Sequence, residues 1–338
     1  MTTRSTAEMM AILPHTADLH VLLASPKQEG QNQVSRETVR EPQFFVAKGL
    51  DTDGSLVKNY KRGLQYAIDY FGNYGPYNIY LLGPGNEKNI RAIFRERAAS
   101  RATSNGSKSI EKQIEDYLNQ PNIEAEVTAV LEGKAEGGLT WSGPPQIVYE
   151  DVTTNAKGRI LDPKENTWGA LHEYHHVFQV AHSHSFEERT SDSNLNSWML
   201  EGIATYSSAK FMENLGLLDL KSYMLELKKS GANIGNPGIN QFLSGSSYRL
   251  DDESYWDGGH SAQVYYMLGA WATAYLIHVR EINEVTVLKN WYYDVLRIGK
   301  KAAFEKHMNI KLEEFYPMFD AFIRQSDEEV MKIFESNR

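Results

Sequence analysis

Residues His172-Glu173-Tyr174-His175-His176 form an HExxH pattern, and Trp198-Met199-Leu200-Glu201-Gly202-Ile203-Ala204-Thr205-Tyr206 follows with its glutamate 25 positions beyond His176. On a helix, residues four apart differ by about 40° of rotation and 6 Å of rise, so His172 and His176 leave one face and can grip a single metal ion. The segment is thereby constrained to be helical. Zinc suits such a site, as one Zn2+ ion, and Glu173 beside that face can accept a proton from metal-bound water.

The rest of the composition narrows the chemistry. The 338 residues contain no cysteine, so disulfides, thiolate zinc sites and a cysteine nucleophile are excluded, and His, Asp and Glu remain as ligands. A net charge of −9 argues against nucleic acid as a partner. Residues 261–279 carry no Asp, Glu, Lys or Arg, nearly the length of a membrane span, yet hold Gln263, Thr273 and His278 and have no companion segment. They are expected to form a buried helix, with no membrane partner. The apolar run 9–13 is too short for a signal-peptide core, so a start at Met1 implies a cytoplasmic protein.

Along the chain, residues 1–45 are expected to be an N-terminal extension with a strand at 18–24. Helical spacing at Leu64, Ala67, Ile68 and Phe71 predicts a helix over 56–71, and a strand follows at 77–82 before the turn Gly83-Pro84-Gly85. Helices are expected at 89–98 and 109–118, separated by a polar turn at 104–107. Strands are expected at 124–131, 138–142 and 146–152. Pro163 breaks the chain, and Asn166 or Thr167 can cap the HExxH helix. Asn196 or Ser197 can start the next helix, which buries Met199, Ile203 and Tyr206 and stops at Gly216. A glycine- and serine-rich loop spans 231–259, and helices are expected at about 261–280, 284–297, 300–308 and 311–325.

These residues resemble the gluzincin metallopeptidases, the thermolysin-like clan in which a glutamate on the following helix completes the zinc site. The resemblance implies His172, His176 and Glu201 as ligands and Glu173 as general base. It is similar to the aminopeptidase N-like branch in a further stretch, Tyr266-Met267-Leu268-Gly269-Ala270, 65 residues beyond Glu201. Tyr266 is thereby implied as the donor that steadies the oxyanion, with Tyr265 as its competitor. The match covers roughly residues 56–325, and its specificity lies in 172–176, 198–206 and 266–270.

One departure is plain. Where aminopeptidases of this kind have Gly-x-Met-Glu-Asn, this chain reads Gly137-Gly138-Leu139-Thr140-Trp141, with Thr140 near the place of the amine-binding glutamate. That argues against recognition of a free N-terminus, although the strand could still pair with an extended substrate. Gly138, Thr140 and His260 are the candidate substrate-binding residues. His175 should point into packing, His182 and His184 should lie at the surface, and Asp192 or Asp219 could orient the imidazoles.

The expected fold is α+β: a small mixed sheet lobe followed by a mainly helical lobe, as the resemblance to a thermolysin-like zincin catalytic domain implies. The catalytic domain is expected over 46–325, with sublobes 46–185 and 186–325, and a tail over 326–338. The expected function is a zinc-dependent metallopeptidase acting on a peptide or small amide substrate. A zinc hydrolase of a non-peptide amide, ester or epoxide is one alternative, and a non-catalytic metal-binding protein is another.

Overall fold

The computed structural model describes residues 41–102, 108–134, 138–141, 148–154, 162–184, 195–229, 239–240, 243, 250 and 261–335. The strand expected at 18–24, the turn at 104–107 and most of the loop at 231–259 lie outside the described residues. The chain divides into two compact units, one ending at Glu173 and the other beginning at Tyr174. That division falls inside a single continuous helix. The protein is a mixed α+β structure, mostly helical, with a small four-stranded mixed sheet.

In the first unit the described elements are β1 (Gln43–Val46), α1 (Ser55–Phe71), β2 (Tyr77–Leu82), α2 (Glu87–Arg101), α3 (Ile110–Leu118), α4 (Pro121–Leu131), β3 (Gly138–Trp141), β4 (Tyr149–Thr154) and the first half of α5 (Pro163–Ser183). The strand order is β1-β2-β4-β3, with β1 and β4 parallel to β2 and β3 antiparallel at the edge. β2 is buried along its whole length, which explains its unbroken apolar and aromatic character. Alternate side chains then serve opposite faces. Tyr80, Leu82 and Val152 pack into a core with Ile93 and Phe94 of α2, Ile114 of α3 and Val127 of α4. On the other face Phe44 meets Tyr60 of α1 edge-on at 5.9 Å.

Two sequence expectations are corrected here. Residues 124–131 are helical, not a strand. The alternation in Glu-Ala-Glu-Val-Thr-Ala-Val mimics a strand, but Pro121 sits in the first turn and Ile123, Val127 and Val130 line up as a buried helical stripe. The extension assigned to residues 1–45 loses its end to the sheet, since Gln43–Val46 pairs with β2. Four residues give too short a pattern to read.

α1 meets α5 at Gly63, where a β-carbon would fall 2.4 Å from the Thr167 carbonyl oxygen. Only glycine permits that approach. Thr167 is inside α5, its hydroxyl donating to the carbonyls of Pro163 at 2.8 Å and Asn59 at 3.3 Å. The cap is Asp162, whose Oδ1 accepts from the Lys164 amide at 2.8 Å. Asn166 and Thr167, the expected caps, are therefore helix-interior residues.

In the second unit α5 is followed by a π-helical turn (Trp198–Gly202), α6 (Ile203–Asn214), α7 (Leu220–Lys229) and α8 (Ser261–Ala274). Then come π-helical turns at Tyr275–Val279 and Thr286–Asn290, α9 (Tyr292–Ile298), α10 (Lys300–Met308), α11 (Leu312–Ile323) and α12 (Asp327–Met331). The uncharged segment is α8 and its continuation, with Tyr266, Leu268, Trp271, Thr273 and Ala274 all buried. A helix apolar on every side belongs at the centre of a helical bundle. No helix among the described residues is long and apolar enough to cross a membrane. Trp198 stacks on Phe315, and Tyr275 meets Phe315, Phe319 and Phe322, forming an aromatic core.

The π turn and α8 approach each other closely. A β-carbon on Gly202 would lie 2.2 Å from Gly269 Cα, and one on Gly269 would lie 2.6 Å from Gly202 Cα. Backbone touches backbone there. The stop at Gly216 is as expected, with φ of +70° and its amide donating to the Glu213 carbonyl at 2.8 Å.

Candidate metal centre

His172 and His176 stand one turn apart on α5, and Glu201 comes from the π turn that opens the next helix. One ligand atom from each lies within 4.8 Å of the others, so the group could hold a metal ion. His172 and Glu201 are buried, and His176 is partly exposed. The Nε2 of His176 is 3.1 Å from Glu201 Oε2. Ligand bonds of about 2.0–2.2 Å at a tetrahedral angle separate neighbouring donors by about 3.4 Å, so this spacing fits a shared ion. The donor set of two imidazoles and one carboxylate fits as well.

The π winding is a feature that sequence pattern did not reveal. The helix expected to start at Asn196 or Ser197 opens instead with a turn that carries an extra residue per winding. Its carbonyls are held from α5. Gln179, wholly buried, has its Nε2 3.2 Å from Met199 O, 3.0 Å from Leu200 O and 2.9 Å from the Tyr292 hydroxyl. Its Oε1 is 2.7 Å from His176 Nδ1. Gln179 was missed by sequence reasoning. The available signal was a lone amide in the apolar run Val177-Phe178-Gln179-Val180-Ala181.

Glu173 is buried next to the ligands in sequence. Near it lies a carboxylate that the sequence reading did not single out, Asp151 on β4. Burial first, and the charge of Glu173 second, push the Asp151 carboxyl well above its ordinary range. Asp151 Oδ1 accepts from the Thr153 hydroxyl at 2.9 Å and Oδ2 from Tyr77 at 3.4 Å. The legible clue was Glu150-Asp151, two consecutive acids in a strand otherwise fit for burial.

The adjacent acid serves the opposite face. Glu150, fully buried, is paired with Arg97 and Arg101 of α2. Thr140 belongs to that network, its Oγ1 3.1 Å from Arg101 Nη2 and 3.4 Å from Glu150 Oε2. Its side chain therefore points away from the face that Asp151 shares with Glu173. Of the expected substrate contacts of Thr140, those of its backbone in β3 are the ones this orientation leaves. Gly138 is on the edge strand, opposite Val152, where β3 pairs only with β4 among the described residues.

Tyr266 lies on α8 one turn before Gly269, the residue in contact with the Glu201 turn, and is buried, whereas Tyr265 is half-buried. His175 turns into the helical unit, its Nδ1 2.5 Å from Ser207 Oγ. His182, expected at the surface, is half-buried between the rings of Phe178 and Tyr293. Asp219 is not an imidazole partner. Its Oδ1 caps α7 by accepting from the Ser222 amide at 2.7 Å. Asp192 and His260 lie outside the described residues.

No known family model, no curated protein and no solved structure matches the chain.

Proposed function

We propose that the protein is a zinc-dependent metallopeptidase of the gluzincin type, with a thermolysin-like arrangement of sheet and helices. The observation that carries this reading is the convergence of His172, His176 and Glu201 from two elements within 4.8 Å, with Glu173 adjacent to the first ligand. A site kept only for structure has no need of that carboxylate. An ion held by His172, His176 and Glu201 would supply Lewis acidity there, the property that acidifies water and polarises a carbonyl oxygen.

The residues of the chain do the rest. Glu173 accepts a proton from the attacking water and returns it to the leaving nitrogen, which is general base followed by general acid catalysis. Tyr266 donates a hydrogen bond to the carbonyl oxygen as negative charge develops there. The edge of β3 that has no partner strand among the described residues offers main-chain groups to an extended peptide, one strand removed from the Asp151 that senses Glu173.

The test pairs metal analysis with a denatured protein substrate and a panel of small amides, esters and epoxides. Wild type is expected to take up one zinc and cleave the protein, and Glu173→Gln to keep the metal while losing at least about 100-fold in rate. An active Glu173→Gln refutes the assignment of the base. Turnover of small molecules alone assigns the site to a non-peptide hydrolase.

A further inference from the structure

We infer that Gln179 is the positioning residue of this centre: its amide dictates which nitrogen of His176 faces the metal and holds the turn that carries Glu201. The inference rests on the reading of His172, His176 and Glu201 as a metal site. Gln179 itself touches neither metal nor substrate.

The orientation of the amide follows from its partners. Met199 O and Leu200 O are carbonyls and can only accept, at 3.2 and 3.0 Å, so the nitrogen end of Gln179 must face them. Turning the amide over would set its oxygen against two carbonyl oxygens. Oε1 therefore faces His176 Nδ1 at 2.7 Å, and since Oε1 can only accept, Nδ1 must carry the hydrogen. A ring bound through its other nitrogen then presents Nε2, the atom 3.1 Å from Glu201 Oε2.

One side chain thus acts on both ligand-bearing elements. Met199 and Leu200 immediately precede Glu201, so the two bonds from Gln179 fix the turn from which Glu201 projects. Tyr292 of α9 backs the amide, its hydroxyl 2.9 Å from Gln179 Nε2 and donating to Met199 O at 3.2 Å. Its ring packs edge-on to His175 and Phe178. Gln179, Met199 and Tyr292 are buried, where such bonds are strong and leaving one unmade is costly. Outer partners of this kind set ring orientation and metal affinity.

The experiment uses the full chain in wild-type, Gln179→Leu and Tyr292→Phe forms. Zinc affinity is read by competition with a chromophoric chelator, and the His176 ring nitrogens by long-range 1H–15N correlation on 15N-histidine-labelled protein at pH 8. Gln179→Leu should weaken zinc about 10- to 100-fold. Tyr292→Phe, which leaves the bond to His176, should weaken it less than about tenfold. In wild type Nδ1 of His176 should carry a hydrogen with or without zinc. Zinc binding by Gln179→Leu as tight as wild type, or a bare Nδ1 in wild type, overturns the inference. Should Gln179→Leu not fold, the wild-type Nδ1 signal alone decides. Failure of wild type to bind zinc would instead refute the metal centre, with the Nδ1 signal still reporting on the Gln179 bond.

Discussion

Replacing Gly269 by alanine adds one methyl group at the point where α8 crosses the turn that bears Glu201. The new carbon would lie 2.6 Å from Gly202 Cα and 2.7 Å from the Trp198 carbonyl oxygen. Carbon contacts relax only near about 3.5 Å, so one backbone must retreat by roughly 1 Å. Overpacking of this kind costs about 1–3 kcal/mol, and the upper end applies because backbone, not a side-chain tip, must move. Alanine returns about 1 kcal/mol through its better helix propensity. The net loss is about 2 kcal/mol. For a unit of this size that lowers Tm by about 4–8 °C.

The loss should also reach the candidate metal centre, because the displaced turn runs from Trp198 to Gly202 and includes Glu201. Stability is best measured by thermal unfolding of the metal-free protein, since bound zinc would add its own concentration-dependent term. Zinc affinity, read separately, should fall by about tenfold. Gly169→Ala in α5 is the control. A β-carbon there meets nothing within 4 Å, so the same change should stabilise by about 0.5–1 kcal/mol. Gly269→Ala with an unchanged Tm would show that α8 and the π turn are not in backbone contact, and the account of why glycine occurs twice there would fail.

Glu150→Gln should destabilise by about 3 kcal/mol in urea unfolding, because it strips the buried partner from Arg97 and Arg101. Burial acts to raise the Glu150 carboxyl, but the charges of Arg101 and Arg97 overcome it and hold the group below its usual range. Its contribution is therefore present above the ordinary carboxylate pKa and lost as pH falls through the folded value, so wild type should lose more stability on acidification than Glu150→Gln. Asp151→Asn should behave with the opposite sign. A carboxyl raised in the folded state contributes fully below its ordinary value of 3.8 and loses that contribution as pH rises, so the variant should gain on wild type between pH 4 and pH 8. A difference between Asp151→Asn and wild type that does not change with pH would sink this reading.

Much of the fold was legible where burial is one-sided. α1, with Leu64, Ala67 and Phe71 on its buried face, and β2, apolar throughout, follow directly from period and length. The four-residue β1 was not, because it is too short to show a period, and α4 was misread because its polar and apolar residues alternate locally. His172, His176 and Glu201, which converge, were legible because holding one ion would impose such a spacing on the sequence. Gln179, Asp151 and the π winding were not, because their roles arise from partners 20 or more positions away.

The orientation of the Thr140 side chain has the same physical origin. Position along a strand fixes a side chain to one of two faces, and a shift of one residue reverses every assignment. Distance from the HExxH motif puts Thr140 near the amine-binding position of that resemblance but does not say which face its side chain takes. The pair Glu150 and Asp151 resolves this. Glu150 lies opposite Thr140 in the antiparallel register and joins the arginines of α2, whereas Asp151 lies opposite Leu139 and senses Glu173. In a buried strand, two neighbouring acids cannot share a partner. The one without arginines must face other company, and that company is the proposed catalytic base.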